Sequence, residues 1–275
     1  MDRLLSHEPM LRLLPFLGVF ALMAVAEALW PRRDRSQPRW RRWPSNLGIV
    51  ALDTLVLRLA FPVAAVGMAL VAESEGLGLL NWLGIEGVPA VILAILLLDL
   101  VIYGQHRLFH AVPLLWRLHR MHHADLDFDV TTGLRFHPAE ILLSMLIKLA
   151  AVLALGAPAV AVLLFEILLN ATSLFNHANL RLPPGLDRVL RGVLVTPDMH
   201  RVHHSAVPQE TDSNFGFSLA LWDRLFRTYR PQPAAGHAAM TIGLAQFRDE
   251  GELRLDRMLT QPLRGDEAGR APSPP

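Results

Sequence analysis

The chain has 275 residues, a net charge of only +1, and a composition that is 52% hydrophobic with a mean hydropathy of +0.32. Near-neutrality gives no ground for nucleic-acid binding. The absence of cysteine excludes disulfides, thiolate-ligated zinc, a built-in iron–sulfur cluster and thiol catalysis, so a metal here must use nitrogen and oxygen ligands.

The apolar residues gather in runs long enough to cross a bilayer, which takes about 20 residues. The first run, Met10 to Trp30, is followed by Arg32, Arg33, Arg35, Arg39, Arg41 and Arg42. Its length and basic flank read as a retained transmembrane helix, although Ala24-Val25-Ala26 resembles a cleavage site. The positive-inside rule then puts residues 31–46 in the cytoplasm. A second run, Leu47 to Val71, leads outward to a loop that carries Glu73, Glu75 and Glu86 but no Lys or Arg. The third, Val88 to Tyr103, returns and delivers His106 and His110 to the cytoplasmic face.

Residues 112–137 are polar and rich in histidine, and belong to the cytosol or the interface. Two further runs, Pro138 to Leu155 and Ala159 to Leu174, are separated by Gly156-Ala157-Pro158 and read as a helical hairpin. It returns His177 to the side of the other histidines, and His200 follows there because nothing later spans. The end of the chain, Pro- and Ala-rich, is expected to be disordered. The fold class is therefore an all-α integral membrane bundle, with about three spanning helices, a helical hairpin and a cytosolic helical cap. The divisions are 1–87 (N-terminal spans and basic loop), 88–230 (histidine-box domain) and 231–275 (tail).

Histidine spacing carries the functional signal. His106 and His110 form HxxxH. His119, His122 and His123 form HxxHH, and His200, His203 and His204 repeat it. Residues three or four apart share a helix face, so each motif aims several imidazoles at one point. One HxxHH alone is most simply a solvated basic face, with Arg117 and Arg120 interleaved. Three motifs on one membrane face point to metal, and eight imidazoles exceed what one four-coordinate ion needs. Thr196 and Pro197 suit the cap and first turn of a helix carrying the last motif.

His177 is a ninth candidate ligand, with Glu166, Asn170 and Ser173 behind it as a polar stripe expected to face the bundle interior. His137 is either a ligand or a residue behind one. Asp99, inside an apolar run, either orients a ligand histidine or bonds between helices. Asp125, Asp127 and Asp129 read as a polar loop, with Asp125 a possible partner of a ligand. His7 and His237 are expected in solvent, and the helix of Trp222 reads either as packed on the cytosolic domain or as interfacial, with Trp222 and Tyr229 at the lipid headgroups.

These residues give the chain a resemblance to the fatty acid hydroxylase/sterol desaturase superfamily of membrane non-haem di-iron oxygenases. The motifs are His106-x-x-x-His110, Pro113-x-x-Trp116-x-x-His119-x-x-His122-His123, Arg135-Phe-His-Pro, Pro197-x-x-His200-x-x-His203-His204, and Thr211-Asp-Ser-Asn-Phe-Gly before Leu221-Trp-Asp-Arg-Leu-Phe. The resemblance covers about residues 90–230. It implies two iron ions held by the box histidines, dioxygen as co-substrate and a lipid substrate. Ser173 stands where fatty acid 2-hydroxylase members carry a further histidine, which makes the sterol-desaturase-like and alkylglycerol-monooxygenase-like branch the closer comparison.

With no cysteine and no glycine-rich nucleotide motif, electrons must come from an external donor such as cytochrome b5 or ferredoxin. The setting expected is a bacterial inner membrane, with the active site on its cytoplasmic face. Two other classes fit the same histidines: a zinc hydrolase in the membrane, and a protein that binds or transports metal without catalysis, although transporters place ligands near the bilayer midplane.

Overall fold

The computed structural model describes residues 2–61 and 63–265, with side chains from Pro9 onward. Among the described residues every named element is helical. In chain order the helices are α1 (Asp2–Leu29), α2 (Arg39–Ala60), α3 (Ala65–Ser74), α4 (Leu79–Trp82), α5 (Gly87–Ala111), α6 (Pro113–His123) and α7 (Pro138–Leu155). There follow α8 (Ala159–Asn176), α9 (Pro184–Leu190), α10 (Pro197–His203), α11 (Pro208–Thr211), α12 (Leu221–Leu225), α13 (Gly236–Ala239) and α14 (Leu255–Thr260).

Five stretches are long and apolar enough to cross a membrane: Pro9–Leu29, Arg39–Trp82, Gly87–Ala111, Pro138–Leu155 and Ala159–Asn176. α8 lies at the centre of this bundle, against α1, α3 and α5, while α7 packs on α2 and α3. Small residues make the close packing possible. Ala65, Ala69, Ala90, Ala94 and Ala161 are buried around Leu98, Val152 and Phe165, the composition that lets helix backbones approach in lipid. Outward, Leu14, Leu22, Val25 and Leu29 of α1 are exposed, as side chains that meet acyl chains should be.

The second run is not one helix. It divides into α2 and α3, and the sequence between them contains Pro62, outside the described residues; proline cannot continue a helical hydrogen-bond ladder. α5, by contrast, continues two turns past the apolar run and so carries both of its histidines. The α7–α8 hairpin turns at Gly156, which has φ +63°. A Cβ on the facing Gly78 would sit 2.1 Å from the Gly156 nitrogen, so the two backbones touch only because both residues are glycine.

Glu166 is buried in the middle of α8 and pairs with Lys148 of α7 at 2.7 Å and Arg12 of α1 at 2.5 Å. This is the interhelical bonding that an intramembrane charge requires. Asn170 is exposed instead of facing the bundle interior, and its side chain donates back to the Glu166 carbonyl.

At the other end of α8 the loops and short helices form a cap. The residues 231–265 are part of it, and the disorder expected near the chain end falls on residues 266–275, outside the described residues. Arg117 and Arg120 of α6 donate to the carbonyls of Gln261, Pro262 and Arg264, strapping the tail across the helix that bears the first HxxHH.

Candidate metal centre

Four elements converge under the cap. α5 ends with His106 and His110 one turn apart. Pro113 starts α6, which folds back on α5 and bears His119, His122 and His123. His177 is the residue that terminates α8. In α10 the Thr196 hydroxyl accepts from the Met199 amide and Pro197 occupies the first turn, as its sequence predicts. That short helix carries His200 and His203, with His204 at its end.

The nine histidines fall into two groups. His106, His110, His119, His123 and His203 form one; His122, His177, His200 and His204 form the other. Within each group one ring nitrogen per residue lies within 4.8 Å of all the others. Helical geometry explains the split. At about 100° per residue, positions i and i+4 lie about 40° apart, while i+3 falls to the other side. Each HxxHH therefore gives its outer pair to one group and its middle histidine to the other: His119 and His123 against His122, and His200 and His204 against His203.

Hydrogen bonds fix the ring orientations. A carbonyl oxygen only accepts, so each imidazole nitrogen facing one must carry the proton. His106 Nδ1 donates to the Phe215 carbonyl at 2.8 Å, His177 Nδ1 to Ser173 at 2.8 Å, and His203 Nδ1 to Ser213 at 2.7 Å. Carboxylates serve two others: His119 Nδ1 lies 2.7 Å from Glu140 and His110 Nδ1 3.1 Å from Asp212. In the neutral rings this leaves Nε2 bare and aimed into the cage.

Burial pushes the His177 pKa down to about 4 and that of His203 to about 3. Burial and then the neighbouring imidazoles hold His122, His123, His200 and His204 well below the ordinary histidine range. These six residues are thus neutral, desolvated nitrogen donors.

The donor set fits a pair of metal ions. His106 Nε2 and His203 Nε2 face each other at 3.0 Å, yet both rings have spent their proton on the far side. Two lone pairs at that distance repel unless a cation lies where both can bind it. His204 is buried with neither ring nitrogen hydrogen-bonded, a deficit of about 1–3 kcal/mol per group that a metal bond would remove. Imidazole donors suit iron, zinc, copper and nickel alike.

The surrounding loop is built to hold these rings. Gly133 lies against α8, where an added Cβ would come 2.9 Å from the Ser173 carbonyl and 3.0 Å from His177 Nδ1. Arg42, from the basic block after α1, is fully buried and reaches Asp125 at 2.7 Å and Asp129 at 2.6 Å. Burial is the largest influence on Asp125 and raises its pKa, but the Arg42 charge and hydrogen bonds, with Arg135 and the Thr132 hydroxyl, together bring it down to about 2. Arg32 pairs with Asp198, and Arg39 with Glu27. The arginines that read as a topology signal therefore also bind the cap together.

Several residues that the sequence left between two readings, or placed in solvent, have definite partners. His137 caps α7, accepting from the Ala139 amide and reaching the Leu259 carbonyl, and belongs to neither group. Asp99 accepts from the Trp222 indole at 2.8 Å and the Leu219 amide at 3.2 Å, so its bonds run between elements and not to a histidine. Asp125 bonds Arg42 and Thr132. His237 is buried, 3.5 Å from Asp198, because α13 packs on α10, and Trp222 is buried with its indole on Asp99, as a packed helix requires. His7 lies outside the described side chains. Sequence reasoning missed the roles of Glu140 and Asp212: Glu140 lies in the first turn of a helix starting at the cage, and Asp212 stands inside the Thr211-Asp-Ser-Asn-Phe-Gly motif without a role assigned to it.

The sequence model of the fatty acid hydroxylase family matches residues 91–228, about half of the chain and all nine histidines. An ornithine lipid hydroxylase of Rhizobium tropici is 31% identical over 159 residues, which cover 57% of this chain and 47% of that protein. Alkylglycerol monooxygenases of Xenopus tropicalis and Homo sapiens are 32% and 28% identical over 139 and 144 residues. These matches cover 49% and 50% of this chain but 29% and 30% of those proteins. The chain thus spans less than half the length of these relatives. No solved structure matches it.

Proposed function

The chain belongs to the fatty acid hydroxylase family, and from that premise we propose that it is a membrane-bound di-iron oxygenase that uses dioxygen to hydroxylate a lipid C–H bond. The facing bare nitrogens of His106 and His203 carry the metal part of this reading. The relatives, a lipid hydroxylase and monooxygenases, favour oxygen insertion over desaturation. Iron, when bound, supplies the dioxygen chemistry needed to break an unactivated C–H bond, for which no side chain is a strong enough oxidant.

The residues do the rest. The five-histidine group and the four-histidine group would each hold one ion. Glu140 and Asp212, taking the protons of His119 and His110, keep the opposite nitrogens available to metal and raise their basicity. The rings of Phe215 and Phe217, 5.8 and 6.2 Å from the His106 ring, offer an apolar approach that suits an alkyl or acyl chain and excludes water. The site lies at the end of the spanning helices, which suits a lipid whose polar part stays among the headgroups. We place this face in the cytoplasm of a bacterial inner membrane, where an external donor such as cytochrome b5 or ferredoxin supplies electrons.

The test couples metal analysis to lipidomics. Purified protein should hold two iron ions per chain, and cells expressing it should accumulate an oxygenated lipid that cells expressing His203→Ala lack. Zinc in the cage with lipid turnover in the absence of oxygen would sink the oxygenase reading in favour of hydrolysis. Unchanged lipids together with altered metal tolerance would favour a metal-handling role.

A further inference from the structure

The cap does not simply rest on the membrane helices. Residues 217–228 dip below the metal cage and return, and their partners on the spanning helices measure the depth. The Phe217 carbonyl accepts from Asn176 near the end of α8, and Ser218 meets Thr172 one turn deeper. The Leu219 amide and the Trp222 indole then reach Asp99. Asp99 lies seven residues before His106 on α5, about 10 Å along the axis. The chain climbs back through Phe226, stacked on Tyr103 with centroids 5.3 Å apart, and Thr228, bonded to the Tyr103 hydroxyl at 2.9 Å. The segment 193–195 follows the same descent, since the Ala220 amide donates to Val193 and the Val195 amide to Ser218.

The outer surface of this segment, and of α9 beside it, carries large exposed apolar side chains. Val189 is 73% exposed, Val193 62%, Leu221 50%, Leu225 61% and Phe226 43%. The α7–α8 hairpin fixes where the bilayer must lie. Its 18-residue helices are each about 27 Å long, close to the hydrocarbon thickness of about 30 Å, and end at the cage. A surface 10 Å below the cage is therefore within the leaflet. Arg224 is exposed among these apolar side chains, but its guanidinium is engaged: it donates to the carbonyls of Ala220 and Arg191 and lies over Tyr229. Arg188 and Arg227 are also exposed, with side chains long enough to extend towards lipid phosphates.

We propose that α9 and α12, with the strands of chain between them, form a re-entrant wedge whose apolar face is embedded among the acyl chains of the leaflet on the cage side. The partner is the lipid leaflet itself, with Arg188 and Arg227 at its phosphates. The backbone of this wedge supplies the Phe215–Ser218 stretch beside His106, so the embedded element and the wall of the cage are one piece of chain. This assignment does not depend on which reaction the metal centre performs.

The absence of cysteine makes the test direct. Val189→Cys and Leu225→Cys, each labelled with a nitroxide, are reconstituted in phosphatidylcholine–phosphatidylglycerol nanodiscs as metal-loaded protein. Collision with oxygen is compared with collision with a water-soluble nickel chelate. Leu164→Cys, on the exposed face of α8, is the reference for lipid, and Gln209→Cys the reference for water. The expected oxygen-to-nickel ratio at both wedge positions is near that of Leu164→Cys and several-fold above that of Gln209→Cys. A ratio at both positions equal to that of Gln209→Cys overturns the proposal. Low collision with both reagents, accompanied by spin–spin broadening, also overturns it and assigns the face to a second copy of the chain.

Discussion

Glu140 and Asp212 each accept an imidazole proton behind the five-histidine group, whereas the four-histidine group has only the Ser173 carbonyl, behind His177, in such a role. The groups are thus chemically unequal. Glu140→Ala should weaken metal at the five-histidine group by about 10- to 100-fold, the usual effect of losing a partner behind a ligand. Competition with a chelator of known affinity measures it, and an unchanged affinity would show that the contact does not support the ligand. Gly133→Ala addresses the other group. Its methyl would collide with the Ser173 carbonyl and the His177 ring, costing about 1–3 kcal/mol as an overpacked site does. The expected result is a protein that keeps metal at the five-histidine group and loses it at the four-histidine group, so that metal content per chain falls from two towards one.

At the scale of elements, the least obvious part is the strap formed by residues 250–264. It lies outside the matched family region, yet its carbonyls take the guanidinium groups of Arg117 and Arg120 from α6. Hydrogen bonds to charged groups contribute about 1.5–3 kcal/mol each. A chain ending after Asp249 should therefore lose about 3 kcal/mol or more of stability, and hold less metal even below its melting range. Thermal denaturation and metal content of the truncated protein check this; metal content equal to that of the full chain would make the strap a passive tail.

Elements and their histidines were legible from the sequence because helical periodicity is local: His106 and His110, or His119 and His123, share a face wherever the helix goes. Partners chosen across the fold were not. Nothing in the sequence says that His110 meets Asp212, or that Arg42 is buried against Asp125 instead of standing in solvent. By sequence the helix of Trp222 fits either the headgroup layer or a packed position; the Asp99 carboxylate that takes its indole lies 123 positions away and is chosen by the fold.

The whole molecule should respond to acid in a predictable sense. His177 and His203 have folded-state pKa values of about 4 and about 3, below the ordinary 6.5. The unfolded chain therefore binds protons first as the pH falls. Stability from these groups is complete above pH 6.5 and declines below it, by about 1.4 kcal/mol per histidine per pH unit, until the folded values are reached. Metal-free protein should show a melting temperature that is level from pH 7 to 8 and drops steeply between pH 6 and 5. A flat profile across that range would mean that the cage is hydrated and its histidines protonate while folded.

The interleaving of the two HxxHH motifs also has a consequence for biosynthesis. Neither group can be completed by a contiguous stretch of chain: the first needs His203 and the second His200 and His204, some 80 residues after His123. At about 5–20 residues per second, the ribosome exposes α6 for roughly 4–16 s before its partners exist, and the strap comes later still. During that interval three imidazoles on one short helix stand open to any passing ion. Correct loading thus belongs to the finished polypeptide, and the cell's metal supply at the moment of cap closure decides which ions are sealed inside.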